Sequence, residues 1–110
     1  MNVPARYDLR HYLTAGGRDL YEEWLEDLTR YEADRVDAYV TRMEGGNFGA
    51  SRSIGGGVLE LKINVGPGYR VYYLRDGERV VVLLCGGDKS SQPRDVRRAR
   101  ACAADYWRRA

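Results

Sequence analysis

The chain has 110 residues, of which 31% are charged and 44% hydrophobic, and a formal net charge of +2. That length suits one domain, residues 1–110, built around one core. No apolar run reaches the ~20 residues of a membrane helix, and Met1 to Arg6 lack the apolar centre of a signal peptide, so a cytoplasmic protein with no membrane partner is expected.

The small net charge hides an asymmetry. Residues 1–55 hold seven arginines against ten carboxylates, a net of −3, and residues 56–110 hold eleven lysines and arginines against six carboxylates, a net of +5. A basic second half points to a polyanion or an acidic protein as partner, and equally to a solvated helix face. Cys85 and Cys102 have no CxxC or metal-ligand spacing and read as small buried hydrophobes.

Alternation from Val3 to Leu13 predicts a first strand. Leu20, Tyr21, Trp24, Leu25 and Leu28 recur at helical spacing with carboxylates between them, and Val36, Tyr39, Val40 and Met43 repeat the pattern over 31–43. Two short helices so joined predict an αα-hairpin. The glycines at 45, 46 and 49 stop the second helix, and a loop through Gly55-Gly56-Gly57 leads to the sheet. A second strand is expected over 58–65, a third over 69–75 and a fourth over 80–84. The turns between them are Gly66-Pro67-Gly68 and Asp76-Gly77, the latter a strong hairpin signal. A last helix starts near Pro93, with Val96, Ala99, Ala103, Tyr106 and Trp107 on one stripe and arginines on much of the remainder.

The resulting fold class is α+β in the order β-α-α-β-β-β-α. It is a mainly antiparallel four-stranded sheet with the helical hairpin on one face. Pairing Val65 with Tyr69 would set Asn64 opposite Arg70 and Lys62 opposite Tyr72. Pairing Arg75 with Glu78 would set Val71 opposite Val82. On that register one face is apolar, and the other gathers Lys62, Asn64, Arg70 and Tyr72. The fourth strand, apolar on both faces, belongs in the sheet interior.

The single histidine, His11, rules out a two-histidine nuclease or a histidine-rich metal site, and neither cysteine has a histidine partner for thiol catalysis. No glycine run matches a phosphate or dinucleotide loop, and the glycines of Cys85-Gly86-Gly87 are expected to serve a turn. What remains is Lys62, Arg70, Tyr72 and Lys89, with Arg52 and the last helix nearby in sequence. Such a set can hold a phosphate backbone, stack a base and stabilise charge on phosphorus. RNA supplies its own nucleophile in the 2′-OH. The residues alone also admit an ordinary surface on which Lys62 and Arg70 pair with Glu60, Asp76 or Asp88.

Five motifs in order carry a resemblance over nearly the whole chain. They are Trp24-Leu25 with Leu28; Gly46-Asn47-Phe48-Gly49; Gly57-Val58 with Glu60-Leu61-Lys62-Ile63; Gly66-Pro67-Gly68-Tyr69-Arg70-Val71-Tyr72; and Leu83-Leu84-Cys85-Gly86-Gly87-Asp88-Lys89-Ser90-Ser91-Gln92. With them the chain resembles the RelE/ParE superfamily of type II toxins, and within it the HigB-like addiction module killer proteins. The resemblance implies a RelE-like fold and a metal-independent, cofactor-free mRNA endoribonuclease (an mRNA interferase) that inhibits translation on the ribosome. It also implies a small antitoxin, often a helix-turn-helix protein, in a toxin–antitoxin hetero-oligomer. Arg70 and Lys89 match catalytic positions of the family and Lys62 matches one more loosely, while Tyr72 is nominated from the register. Arg52, Asn64, Arg94, Arg97 and Arg98 would contact RNA or the ribosome. A ParE-like gyrase poison and a non-toxic co-repressor module share the fold and are the rival readings.

Overall fold

A computed structural model describes residues 6–110. The elements are β1 (Asp8–His11), α1 (Leu20–Glu26), α2 (Arg30–Thr41), β2 (Ala50–Ser53), β3 (Leu59–Ile63), β4 (Tyr69–Asp76), β5 (Val80–Asp88) and α3 (Gln92–Arg109). The strands form one sheet in the order β1-β5-β4-β3-β2. β1 runs parallel to β5, and every other pairing is antiparallel. The α+β class holds, with five strands in place of four. Val3 and Ala5, at the start of the expected first strand, lie outside the described residues.

Local chemistry sets the helix starts. Asp19 caps α1 by accepting from the Glu22 amide at 3.0 Å. Thr29 and Glu32 form a reciprocal capping box at the start of α2, which satisfies two amide donors that a helix start leaves open. Past Thr41 the chain tightens into a single 3-10 turn, and Gly46, with φ 92°, ends it in a left-handed conformation.

The additional strand is β2, a stretch expected to be loop. Its sequence Ala-Ser-Arg-Ser carries no apolar alternation because it is a four-residue edge strand with no buried position. Two hairpin registers also differ from expectation. Ile63, not Val65, pairs with Tyr69, so Lys62 faces Arg70 and Glu60 faces Tyr72. The connection is a five-residue loop, residues 64–68, rather than a three-residue turn. Because the slip is two residues, every β3 side chain keeps its expected face. On the other hairpin Asp76 pairs with Val80, and a bulge shifts the register between Tyr72 and Tyr73. Val71 is thereby set opposite Gly86, not Val82.

Both sheet faces carry core. Tyr21, Val36, Val40 and Met43 of the α1–α2 side bury Leu61, Ile63, Val71, Tyr73, Val81 and Leu83. On the opposite face, α3 lays Ala99, Cys102 and Ala103 against Tyr72, Leu74, Val82, Leu84 and Cys85. The second face is therefore apolar where α3 covers it, and its β2–β3 end stays open. Both cysteines are free and buried. The interior place expected for the last strand is confirmed, with β5 lying between β1 and β4.

The Cys85-Gly86-Gly87 glycines do not make a turn. Both lie within β5, where a Cβ on Gly86 would collide with the Trp24 ring and one on Gly87 with Asp95 and Ser91. They are glycines because α1 and α3 approach the strand from opposite sides.

Candidate nucleic-acid interface

The open end of the α3-side face holds two adjoining clefts. One, of about 350 Å³, is lined by Lys62, Asn64, Gly66, Pro67, Gly68, Arg70 and Lys89. The other, of about 410 Å³, is lined by Ala50, Ser51, Arg52, Glu60, Lys62, Arg70 and Gln92. Lys62 and Arg70 belong to both, so the two clefts make one groove.

The elements deliver these groups in a simple way. Lys62 on β3 and Arg70 on β4 are register partners and share a face. Their side chains rise side by side, as cross-strand pairs do. Lys89 arrives because Asp88 ends β5 and caps the 3-10 turn Lys89–Ser91, accepting from the Ser90 amide at 2.8 Å. Ser90, through its hydroxyl and amide, holds the Asp88 carboxyl below the usual carboxylate range.

Of the carboxylates that could have neutralised this groove, two are engaged elsewhere. Asp76 accepts from the Tyr106 hydroxyl at 2.5 Å, and Asp88 is the cap just described. Neither Lys62 nor Lys89 makes an ion pair with any described residue. The remaining carboxylate, Glu60, is buried beneath the groove with its side chain 3% exposed. It accepts from Gln92 Nε2 at 2.8 Å, the Tyr72 hydroxyl at 2.9 Å and Arg52 Nε at 3.0 Å. Burial pushes the Glu60 carboxyl up, but the hydrogen bonds from Gln92, Tyr72 and Arg52 outweigh it and hold the group ionised below its ordinary range.

Arg70 is buried, unusually for an arginine. Its Nη1 donates to the Gly68 carbonyl at 3.1 Å, and its Nε lies 3.8 Å from Glu60 Oε2 without a hydrogen bond. Nη2 bonds to no described residue, so one end of the guanidinium is left for a ligand in the groove.

Of the residues expected to work together, the groove unites Arg70, Lys62, Lys89, Asn64 and Arg52. Tyr72 is a correction: its ring is wholly buried under α3 and offers no face for a base to stack on. Burial and the Glu60 hydrogen bond push its hydroxyl far above the ordinary tyrosine value, and that hydroxyl donates to Glu60 at 2.9 Å. Arg94, Arg97 and Arg98 line neither cleft. Arg94 and Arg98 lie 3.9 and 3.7 Å from the buried Asp95 of their own helix, and Arg97 is exposed. Glu60 was expected only as an ion-pair partner of Lys62 and Arg70 on an ordinary surface, and Gln92 was passed over as a site residue. The signal was present in the alternation of Glu60 with Lys62, which assigns both to one face.

The sequence profile described as phage-derived protein Gp49-like (DUF891) matches residues 23–104. A protein of Haemophilus influenzae, described as uncharacterized, is 40% identical over 86 residues, covering 77% of this chain and 87% of that protein. Glu60, Lys62, Arg70, Lys89 and Gln92 all fall inside the matched span.

Proposed function

The chain belongs to the phage-derived Gp49-like family, a toxin–antitoxin-associated family related to the RelE/ParE toxins, and we propose that it is a HigB-like type II toxin that cleaves mRNA on the ribosome. One observation carries this reading. Lys62, Arg70 and Lys89 converge on one groove whose lining carboxylate, Glu60, is buried and already occupied by donors.

In this reading the groove binds the scissile phosphodiester with Arg70 Nη2 and the Lys89 ammonium on its non-bridging oxygens. The 2′-oxygen of the preceding ribose attacks phosphorus, the bond to the 5′-oxygen breaks, and a 2′,3′-cyclic phosphate and a free 5′-hydroxyl result. Negative charge builds on the non-bridging oxygens in the transition state, where cations fixed in advance stabilise it more than they stabilise the ground state. The attacking hydroxyl must lose a proton and the leaving oxygen must gain one. Lys62, beside Arg70 at the junction of the two clefts, would mediate that exchange. Asn64 and Arg52 would hold the flanking nucleotides. Arg94, Arg97 and Arg98 would supply a separate basic surface for ribosomal RNA. The family implies a cognate antitoxin as partner.

The test is cleavage of a defined mRNA on purified ribosomes, mapped by primer extension, with wild type beside Arg70→Ala and Lys89→Ala variants of unchanged melting temperature. Ribosome-dependent cuts lost in both variants are the expected result. Absence of cuts together with gyrase-dependent DNA breaks would overturn it in favour of the poison class.

A further inference from the structure

We propose that Glu60 is the positioning residue of the groove: a buried carboxylate whose task is to aim the guanidinium groups of Arg52 and Arg70. The proposal rests on the cleavage reading above and extends it to a residue that never meets RNA.

Three other roles for Glu60 fail on geometry. A general base needs a lone pair open to the substrate, whereas Glu60 already accepts three hydrogen bonds and its side chain is 3% exposed. A direct ligand for a base edge needs the same access. A mere filler of core volume is poorly served by a charge, because burying an ion pair costs several kcal/mol per ion and an apolar residue of similar size is often as stable.

The contacts instead describe an orienting device. Gln92 from the start of α3 and Tyr72 from β4 fix Oε2 from two directions, at 2.8 and 2.9 Å. Oε1 then takes Arg52 Nε at 3.0 Å, although that arginine is otherwise 68% exposed on an edge strand. The bond is made by Nε, not by the fork, so both terminal nitrogens of Arg52 stay available at the groove. Arg70 is held by charge and by the Gly68 carbonyl, not by a hydrogen bond to Glu60. Gly68 takes Nη1, Nε points at the carboxylate from 3.8 Å, and Nη2 is left open. One anion thus lies against two cations from different strands, hydrogen-bonded to Arg52 Nε and paired by charge with Arg70, and leaves their outer nitrogens for phosphates. Its own charge is covered by donors, so it does not repel the RNA.

The experiment uses the full chain and its Glu60→Gln variant, which keeps shape and loses charge, with Glu60→Ala as a second variant. Melting curves first establish that each is folded. The Nε–H resonance of Arg70 in nitrogen-15 spectra, identified by its loss in Arg70→Lys, is then compared, together with kcat and KM in the ribosome assay. In Glu60→Gln the Arg70 Nε–H signal is expected to shift, because the carboxylate 3.8 Å away loses its charge, and kcat to fall about 10- to 100-fold, with KM within about threefold. An unmoved Arg70 signal in a folded Glu60→Gln protein overturns the proposal, as does unchanged kcat. If the wild type cuts no mRNA, the cleavage reading fails by itself, and the spectra still decide whether Glu60 positions Arg70.

Discussion

Gly87 of β5 and Asp95 of α3 are packed so closely that a Cβ on the glycine would fall far inside the 3.0 Å that real Cβ atoms keep from the carboxylate. Asp95 is 1% exposed, and its side chain accepts a short hydrogen bond from Ser91. The contact seats the first turn of α3 on the sheet, and with it Gln92 and its bond to Glu60. Replacing Gly87 by Ala forces α3 away from β5. The expected cost is about 2–3 kcal/mol, read as a lower urea midpoint. Gly86→Ala, which meets the rigid Trp24 ring, should cost at least as much. A midpoint unchanged in both variants would show that the helices yield freely.

Arg70→Lys tests whether charge alone suffices. A lysine keeps the positive charge but cannot place one nitrogen on the Gly68 carbonyl while another reaches the phosphate. Cleavage by Arg70→Lys is expected to fall about 100-fold, with Arg70→Ala lower still. Near-normal rates in Arg70→Lys would mean that the groove uses Arg70 as a point charge.

Tyr72→Phe separates support from proton transfer. Loss of the hydroxyl removes one of three donors to Glu60, which should cost about 1 kcal/mol of stability. It should also raise the Glu60 carboxyl toward its ordinary range, followed by the carbon-13 shift of its carboxyl with pH. Because Tyr72 is buried and its hydroxyl is held far above the ordinary value, turnover should fall by less than about tenfold. A loss of several hundredfold would return Tyr72 to the chemistry.

Asp105 supplies a pH-dependent contribution. The hydroxyl of Tyr12, 2.7 Å away, and the guanidinium of Arg109 lower its carboxyl from 3.8 to about 2. A carboxylate depressed in the folded state stabilises the fold above its unfolded value, and that contribution fades as pH falls from 3.8 toward about 2. Between about pH 5 and 2.5 the urea midpoint of Asp105→Asn should therefore drop less than that of the wild type. Parallel pH curves would exclude this linkage.

Much of the site was legible because side-chain period, not strand pairing, determines which residues share a face. The expected β3–β4 register was wrong by two residues, yet Lys62, Asn64 and Arg70 still emerged together, since an even slip preserves the face. The β4–β5 register was not recoverable: the bulge between Tyr72 and Tyr73 leaves no mark in a uniformly apolar run such as Val80 to Leu84. The same limit explains Tyr72. Alternation placed it on the correct face, but nothing in the sequence says that α3 covers that part of the face and leaves Lys62 outside. β2 escaped notice because one alanine and three polar residues on an edge carry no periodic signal. The buried role of Glu60 depends on Gln92, 32 residues away, a pairing that no local pattern encodes.

The bulge has a consequence for how the chain tolerates insertions and deletions. It sets Leu84 and Cys85 both toward α3, after which Gly86 meets Trp24 and Gly87 meets Asp95. Removing one residue between Val80 and Cys85 would take out the bulge, keep the Asp76–Val80 and Tyr72–Cys85 pairs and leave both glycines on their own sides. A loss beyond the bulge, between Gly86 and Asp88, has no such spare residue and would turn Lys89 away from Arg70. The Gly55-Gly56-Gly57 loop, outside both clefts, can change length without that penalty.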